Sequence, residues 1–150
     1  MSICWSPHVT VATLVERDGT FLFVREHTPQ GERINQPAGH WEQGETLLEA
    51  ACRETLEETG WHIKLTGFVS VASYLAPANN TTYLRFPFVG QPVRYSENPV
   101  LDPEIIEPLW LTRAELEDWR AHWRSPLVAD VLDQYLKRGS QPLELVSLHR

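Results

Sequence analysis

Residues 39–61 read GHWEQGETLLEAACRETLEETGW, and the charges in this stretch decide what the rest of the chain has to build. Thr46 with Glu49 three residues later is a capping-box pattern. Gly60 stands where a helix wants a left-handed residue after its last turn, with Leu56 and Trp61 to supply the accompanying apolar contact. The spacing predicts a helix over 47–59. On a 3.6-residue repeat Glu54, Glu57 and Glu58 span about 100° of arc, while Leu48, Ala51, Cys52, Thr55, Leu56 and Thr59 gather on the other side. Three carboxylates therefore share one face. Repulsion between them costs about 0.2–0.5 kcal/mol per pair on an exposed helix, and acids near a helix C-terminus oppose its dipole by about 0.3–1 kcal/mol. A solvated helix face tolerates such a cluster without requiring it.

Upstream, HVTVATLV (8–15) and TFLFVRE (20–26) are rich in β-branched and aromatic residues, and Asp18-Gly19 between them is the signal of a two-residue hairpin. A polar connection through HTPQGER leads to INQPAG, where Pro37 and Gly39 predict an irregular loop before the helix. Downstream, 62–76 and 82–90 read as strands with Asn79-Asn80 as the turn, and Pro87 predicts a bulge or an edge because it cannot donate to a ladder. A polar stretch from Gln91 to Pro103 precedes a short strand, IIEPLWL. Thr112 with Glu115 repeats the capping box. Ser125-Pro126 opens a last helix that Gly139 stops.

Strands, one helix, more strands and then helices define an α/β (α+β) fold, and 150 residues suit one domain spanning 1–150. Hydrophobic residues at 42% and charged ones at 22% are ordinary globular usage. A net charge of −7 argues against a nucleic acid polymer, whose binding depends on Lys and Arg displacing counterions. A small phosphorylated ligand remains compatible, because cations held by clustered glutamates would offset that charge. Cys4 and Cys52 alone suggest neither a disulfide framework nor a zinc cluster, so a reduced, cytoplasmic setting is expected. MSICWSPHVT carries no basic segment followed by a long apolar one, and no run approaches 18 apolar residues. Neither a leader nor a membrane span is expected.

Context lifts the carboxylates above the solvated-face reading. Gly39, Glu45, Arg53-Glu54, Glu57-Glu58 and Gly60 match G-x5-E-x7-R-E-x-x-E-E-x-G, which at ordinary residue frequencies arises at a given site less than about once in 10⁷ trials. That pattern is the signature of the Nudix hydrolases, and the chain resembles them over 39–61 with one departure, Thr55 in place of an aliphatic residue. The flanks PHVTVA, NQPAGH, LRF and RSPLVADVL extend the resemblance toward the NudJ-type phosphatases of that family.

The resemblance implies an α/β/α sandwich around a mixed sheet. It implies a hydrolase that cleaves phosphoanhydride bonds of nucleoside tri- and diphosphates, and pyrophosphates of the thiamine pathway such as hydroxymethylpyrimidine pyrophosphate, releasing phosphate. ADP-ribose or an oxidised nucleotide is the alternative substrate, and a non-catalytic nucleotide sensor the alternative role. By the same resemblance Glu54, Glu57 and Glu58 hold Mg²⁺ or Mn²⁺, Arg53 and Glu45 orient them, and Gly39 lets the backbone approach the metal or phosphate. The water-activating base falls to Glu57 or to a distant loop, where Glu104 is the first candidate and Glu97 and Glu107 are its rivals. Arg25 and Arg85 lie on predicted strands and could donate to phosphates. A small-molecule substrate, no membrane partner and a monomer complete the expectation. Among six histidines none sits at ligand spacing, and His40, next to Gly39, is the one to test for a metal or acid–base role, while Trp5, Trp41, Tyr74, Tyr83 and Phe86 are candidates for stacking on a ligand ring. A di-iron bundle would need Glu-x-x-His repeated on other helices, and that repeat is missing.

Overall fold

The structure, a computed structural model, describes residues 3–146. The chain opens with a hairpin of β1 (His8–Arg17) and β2 (Thr20–Thr28), whose turn has Asp18 at φ 52° and Gly19 at φ 77°. Both values are those a type I′ turn demands. The expected polar connection is instead a second hairpin into β3 (Gly31–Asn35): Thr28 Oγ1 accepts from Gln30 N–H, and Gly31 takes φ 103°. Nor is INQPAG irregular throughout. Ala38–His40 form a short β4 antiparallel to β1, with Gly39 opposite Val11, and the amide of Thr13 uses the carbonyl of Pro37 at 3.0 Å.

The expected helix is α1 (Leu47–Thr59), with the reciprocal Thr46–Glu49 cap in place and Gly60 at φ 79°. The single strand expected over 62–76 is two, β5 (Trp61–Phe68) and β6 (Ala72–Ala76), both antiparallel to a long β7 (Thr81–Tyr95). Pro87 is neither at an edge nor at a bulge: it lies in β7, opposite Ala12 of the parallel β1. The interruption between β5 and β6 makes this tolerable. The carbonyl of Pro87 accepts from Val69 at 3.0 Å, so its ring nitrogen faces the same gap, where no ladder bond is owed. β8 (Ile105–Leu111) pairs with β2, and α2 (Arg113–Glu117) and α3 (Leu127–Arg138) follow. Ser125 Oγ accepts from Leu127 N–H, which is the capping work expected of it.

The mixed sheet runs β3-β2-β1-β7-β5, with helices on both faces. Alternation along β1 divides the core in two. Leu14 joins Phe21, Phe23, Ile34, Leu116, Val128 and Leu132 beneath α2 and α3, whereas Val11 joins Ala50, Ala51, Phe68 and Phe88 beneath α1. Among the described residues no helix is long and apolar enough to cross a membrane.

Thr55, the departure from the signature, is fully buried, and its hydroxyl donates to the Ala51 carbonyl at 2.8 Å. That leaves the Thr55 oxygen to accept from the buried Thr13 hydroxyl of β1, also at 2.8 Å. The pair fastens α1 to the sheet by hydroxyls where an aliphatic contact would serve. Thr55→Val strands the Thr13 donor and should cost about 1–3 kcal/mol, whereas the double variant Thr13→Val/Thr55→Val recovers much of that loss. Urea unfolding of the two single variants and the double one measures the coupling.

Candidate active site

One face of α1 was expected to carry carboxylates and the other to pack. The residues of α1 that are buried are instead Ala50, Ala51, Glu54, Thr55, Glu58 and Thr59, while Leu48, Cys52 and Leu56 are half-buried and Glu57 is partly open. Small residues let the helix settle close to the sheet, and that carries Glu54 and Glu58 inward with it. Room for Glu54 is made by Gly39. A methyl group added at Gly39 would overlap the Glu54 carboxylate, so the close neighbour of this glycine is the acid itself.

Arg53 holds the acids in register. Its Nε and Nη2 bond both oxygens of Glu45 at 2.9 and 2.8 Å, its Nη1 reaches Glu54 at 2.9 Å and Glu57 at 3.2 Å, and Nη2 also meets the His40 carbonyl at 3.1 Å. Glu45 is fixed in turn: Oε1 accepts from Glu42 N–H at 2.9 Å, and the Trp41 indole donates to its carbonyl at 2.8 Å. The bond from Arg53 holds the Glu45 carboxyl below the usual carboxylate range. This two-pronged grip needs the planar fork of arginine; a lysine would keep the charge and lose the geometry.

A loop that lacks any motif completes the group. The carbonyls at the C-terminal end of α1 are claimed from outside, Glu57 by the amide of Asp102 at 3.0 Å and Gly60 by that of Ser96 at 2.8 Å. The loop thereby brings carboxylate oxygens of Glu54, Glu57 and Asp102 within 4.8 Å of one another. Oxygens around a cation with metal–oxygen bonds of about 2.0–2.1 Å lie no farther than about 4.2 Å apart, so a small inward adjustment would close this set on one ion. Burial pushes the Glu54 carboxyl up to about 7, with Arg53 opposing, and raises that of Asp102 as well. Acids outnumber bases here, which is the deficit a divalent cation fills.

Glu58 stands apart from this trio. Its Oε1 accepts from the Ala38 amide at 2.8 Å, and burial raises its carboxyl to about 9. It lines a cavity of about 660 Å³ on the α3 side of the sheet, together with Gly39, His40, Arg85 and Glu104. The carbonyl of Glu104 takes the His27 amide at 2.8 Å, next to the β2–β8 register shift at Arg25/Glu26. Strand register lays out the cavity wall in rows: His40, Thr10 and Arg85 face one another across β4, β1 and β7, and one step along stand Tyr83 and Tyr74, with His8 opposite Tyr83 just outside the cavity. Rows two residues apart are separated by about 7 Å.

The remaining candidates sort themselves by contact. Arg25 is taken by Glu32 and Glu107 at 2.8 and 2.7 Å, as a surface ion pair. Phe86 packs with the core under α1, and Trp5 is exposed. His40 bonds His8 at 3.0 Å. Asp102 was missed. The only local sign of Asp102 was a second acid two residues before Glu104, and nothing in that pattern says the loop docks on α1.

Fold and carboxylates together define a class. A model of the NUDIX domain matches residues 6–131, and the chain belongs to the Nudix family as a Nudix hydrolase. Within that family it is similar to phosphatase NudJ of Escherichia coli strain K12, with 38% identity over 143 residues that cover 95% of this chain and 92% of the relative. The same protein from Shigella flexneri matches equally. A solved NUDIX hydrolase from Nitrosomonas europaea superposes with a TM-score of 0.92 at 36% identity, covering 96% of this chain and 98% of its own. Nudix hydrolases generally use divalent metals.

Gly39→Ala tests the steric role, since the backbone there is not left-handed and the overlapping group is the end of a side chain. The variant should fold within about 1 kcal/mol of the parent, yet bind Mn²⁺ at least about tenfold more weakly by calorimetry, as Glu54 is displaced. A second expectation concerns metal-free protein. The raised carboxyls of Glu54 and Glu58 lend stability in protonated form, which is whole below the ordinary 4.5 and fades as pH climbs through about 7 and then about 9. Thermal melts in chelator from pH 5 to 9 should fall accordingly, and saturating divalent ion should flatten the slope.

Proposed function

We propose that this hydrolase cleaves phosphoanhydride bonds of nucleoside tri- and diphosphates and releases inorganic phosphate, with Mg²⁺ as its working ion. The observation that carries the reading is the meeting of Glu54, Glu57 and Asp102 oxygens within 4.8 Å beside a cavity that Arg85 lines. The likeness to phosphatase NudJ supports the choice of reaction. When bound, a divalent ion would neutralise phosphate oxygens and lower the pKa of water.

The chain's own residues supply the rest. Glu54, Glu57 and Asp102 would hold the ion, with Glu58, on the cavity side of α1, as a further ligand from the adjoining wall. Arg53, anchored on Glu45, keeps two of those carboxylates from swinging away, and Gly39 keeps clear the space that Glu54 occupies. Arg85 donates to the substrate phosphates. Glu104 lines the same cavity and takes the proton of the attacking water, with Glu57 the alternative base. The water oxygen bonds to phosphorus as the bridging P–O bond breaks, and the departing phosphate carries the electron pair. The aromatic row of Tyr83 and Tyr74 suits a planar ring at the far end of the substrate.

Phosphate release from a panel of nucleoside tri- and diphosphates, with products identified by ³¹P NMR, tests the reading. Exclusive liberation of pyrophosphate or of two monophosphates would reject it. Glu57→Gln, Asp102→Asn and Glu104→Gln should each keep the near-UV circular dichroism of the parent and lose about 10²–10⁴-fold in kcat. Excess chelator should abolish turnover, and added Mg²⁺ should restore it.

A further inference from the structure

Three arginines line the cavity, Arg33, Arg85 and Arg124, and two of them, Arg85 and Arg124, act on the same buried acid, Glu26. Arg85 on β7 is 7% exposed, and its Nη2 donates to the uncharged side chains of Gln36 at 2.8 Å and Asn35 at 3.2 Å. Its buried Nε has no partner among the described residues. Among the described residues no carboxylate bonds this guanidinium directly, and burial lowers its pKa to about 10 even though Glu58 and Glu26 lie near enough to oppose that shift. A buried cation left so loosely matched is costly unless an anion joins it.

Arg124 is the second group. Its amide is pinned to the Ile34 carbonyl at 2.8 Å, and its side chain touches the Glu26 carboxylate through Nη1. Among the described residues its Nε and Nη2 make no hydrogen bond or ion pair. Glu26 is 6% exposed and feels both arginines, so one carboxylate lies between two cations. Ser125 and Leu127, at the start of the 12-residue α3, line the same cavity and turn the positive end of that helix toward it.

We propose that Arg85, Arg124 and the N-terminus of α3 form a receptor for an uncapped phosphoryl group, so that the enzyme acts on anhydrides bearing a free terminal phosphate and not on those esterified at both ends. This rests on the anhydride reading above and specifies which substrates satisfy it. A terminal phosphate offers three oxygens and about two negative charges near neutral pH, which two forks and a helix end can match. An esterified phosphate offers two free oxygens and one charge. Glu26 acts as a positioning residue, holding Arg124 by one nitrogen and leaving the others for the anion.

Metal-free protein in chelator, titrated calorimetrically at pH 8 with inorganic phosphate and with dimethyl phosphate, separates the receptor from catalysis. Wild type should bind phosphate at least about tenfold more tightly than dimethyl phosphate. Arg124→Gln should lose about tenfold or more in phosphate affinity, Arg124→Lys should retain part of it, and Lys137→Gln on the far end of α3 should match wild type. Absence of phosphate binding by wild type, equal affinity for the two anions, or a folded Arg124→Gln that binds as wild type would overturn the receptor. Should phosphate bind as expected while no anhydride is hydrolysed in Mg²⁺, the receptor stands and the proposed function falls. Loss of the receptor with phosphate release intact would have the opposite meaning.

Discussion

Everything at the site follows from putting carboxylates where water is scarce. An exposed glutamate cluster costs a helix little and can do little; Glu54 and Glu58, at 9% and 8% exposure, are acids whose charged form the protein itself disfavours. The surroundings offset that penalty only in part. Arg53 partners two of the acids, Ala38 lends one amide to a third, and the balance is left for a dication to supply. Stability and chemistry are therefore coupled at one place, and the helix is held there by small residues, a glycine opposite and a hydroxyl pair beneath.

The sheet converts this local arrangement into a site with a direction. Because β7 runs parallel to β1 and antiparallel to β6, residues from four strands meet on one face in fixed rows, with the arginine row next to the tyrosine row. A proline in β7 would interrupt such an array if a ladder bond were owed at its nitrogen. The break between β5 and β6 falls at that position, so the strand stays continuous while its outer neighbour changes.

Local pattern carried α1 well: both ends and its caps were legible because each depends on residues a few positions apart, whereas the orienting roles of Arg53 and Glu45 came from the resemblance alone. The first hairpin was legible for the same reason. What escaped was set by distant partners. β4 exists because β1 offers an open edge to Ala38–His40, and nothing within INQPAG announces that. The burial of Glu54 and Glu58 depends on how deeply the helix sinks, which is settled by Gly39 and Thr13 and not by the helical wheel. Asp102 was invisible because its position is fixed by one amide bonded to the Glu57 carbonyl, 45 residues away by the numbering.

That same amide has a wider implication. The end of α1 would otherwise expose carbonyl groups with no donors, beside acids that the helix dipole repels. By hanging from those carbonyls, the loop from Ser96 to Glu104 makes the termination of the helix and the delivery of two carboxylates a single event. Neither half can be detached alone. The last turn and the acid are thus tied together, so that a fluctuation that frays the end of α1 also loosens the acid contributed by the loop before β8.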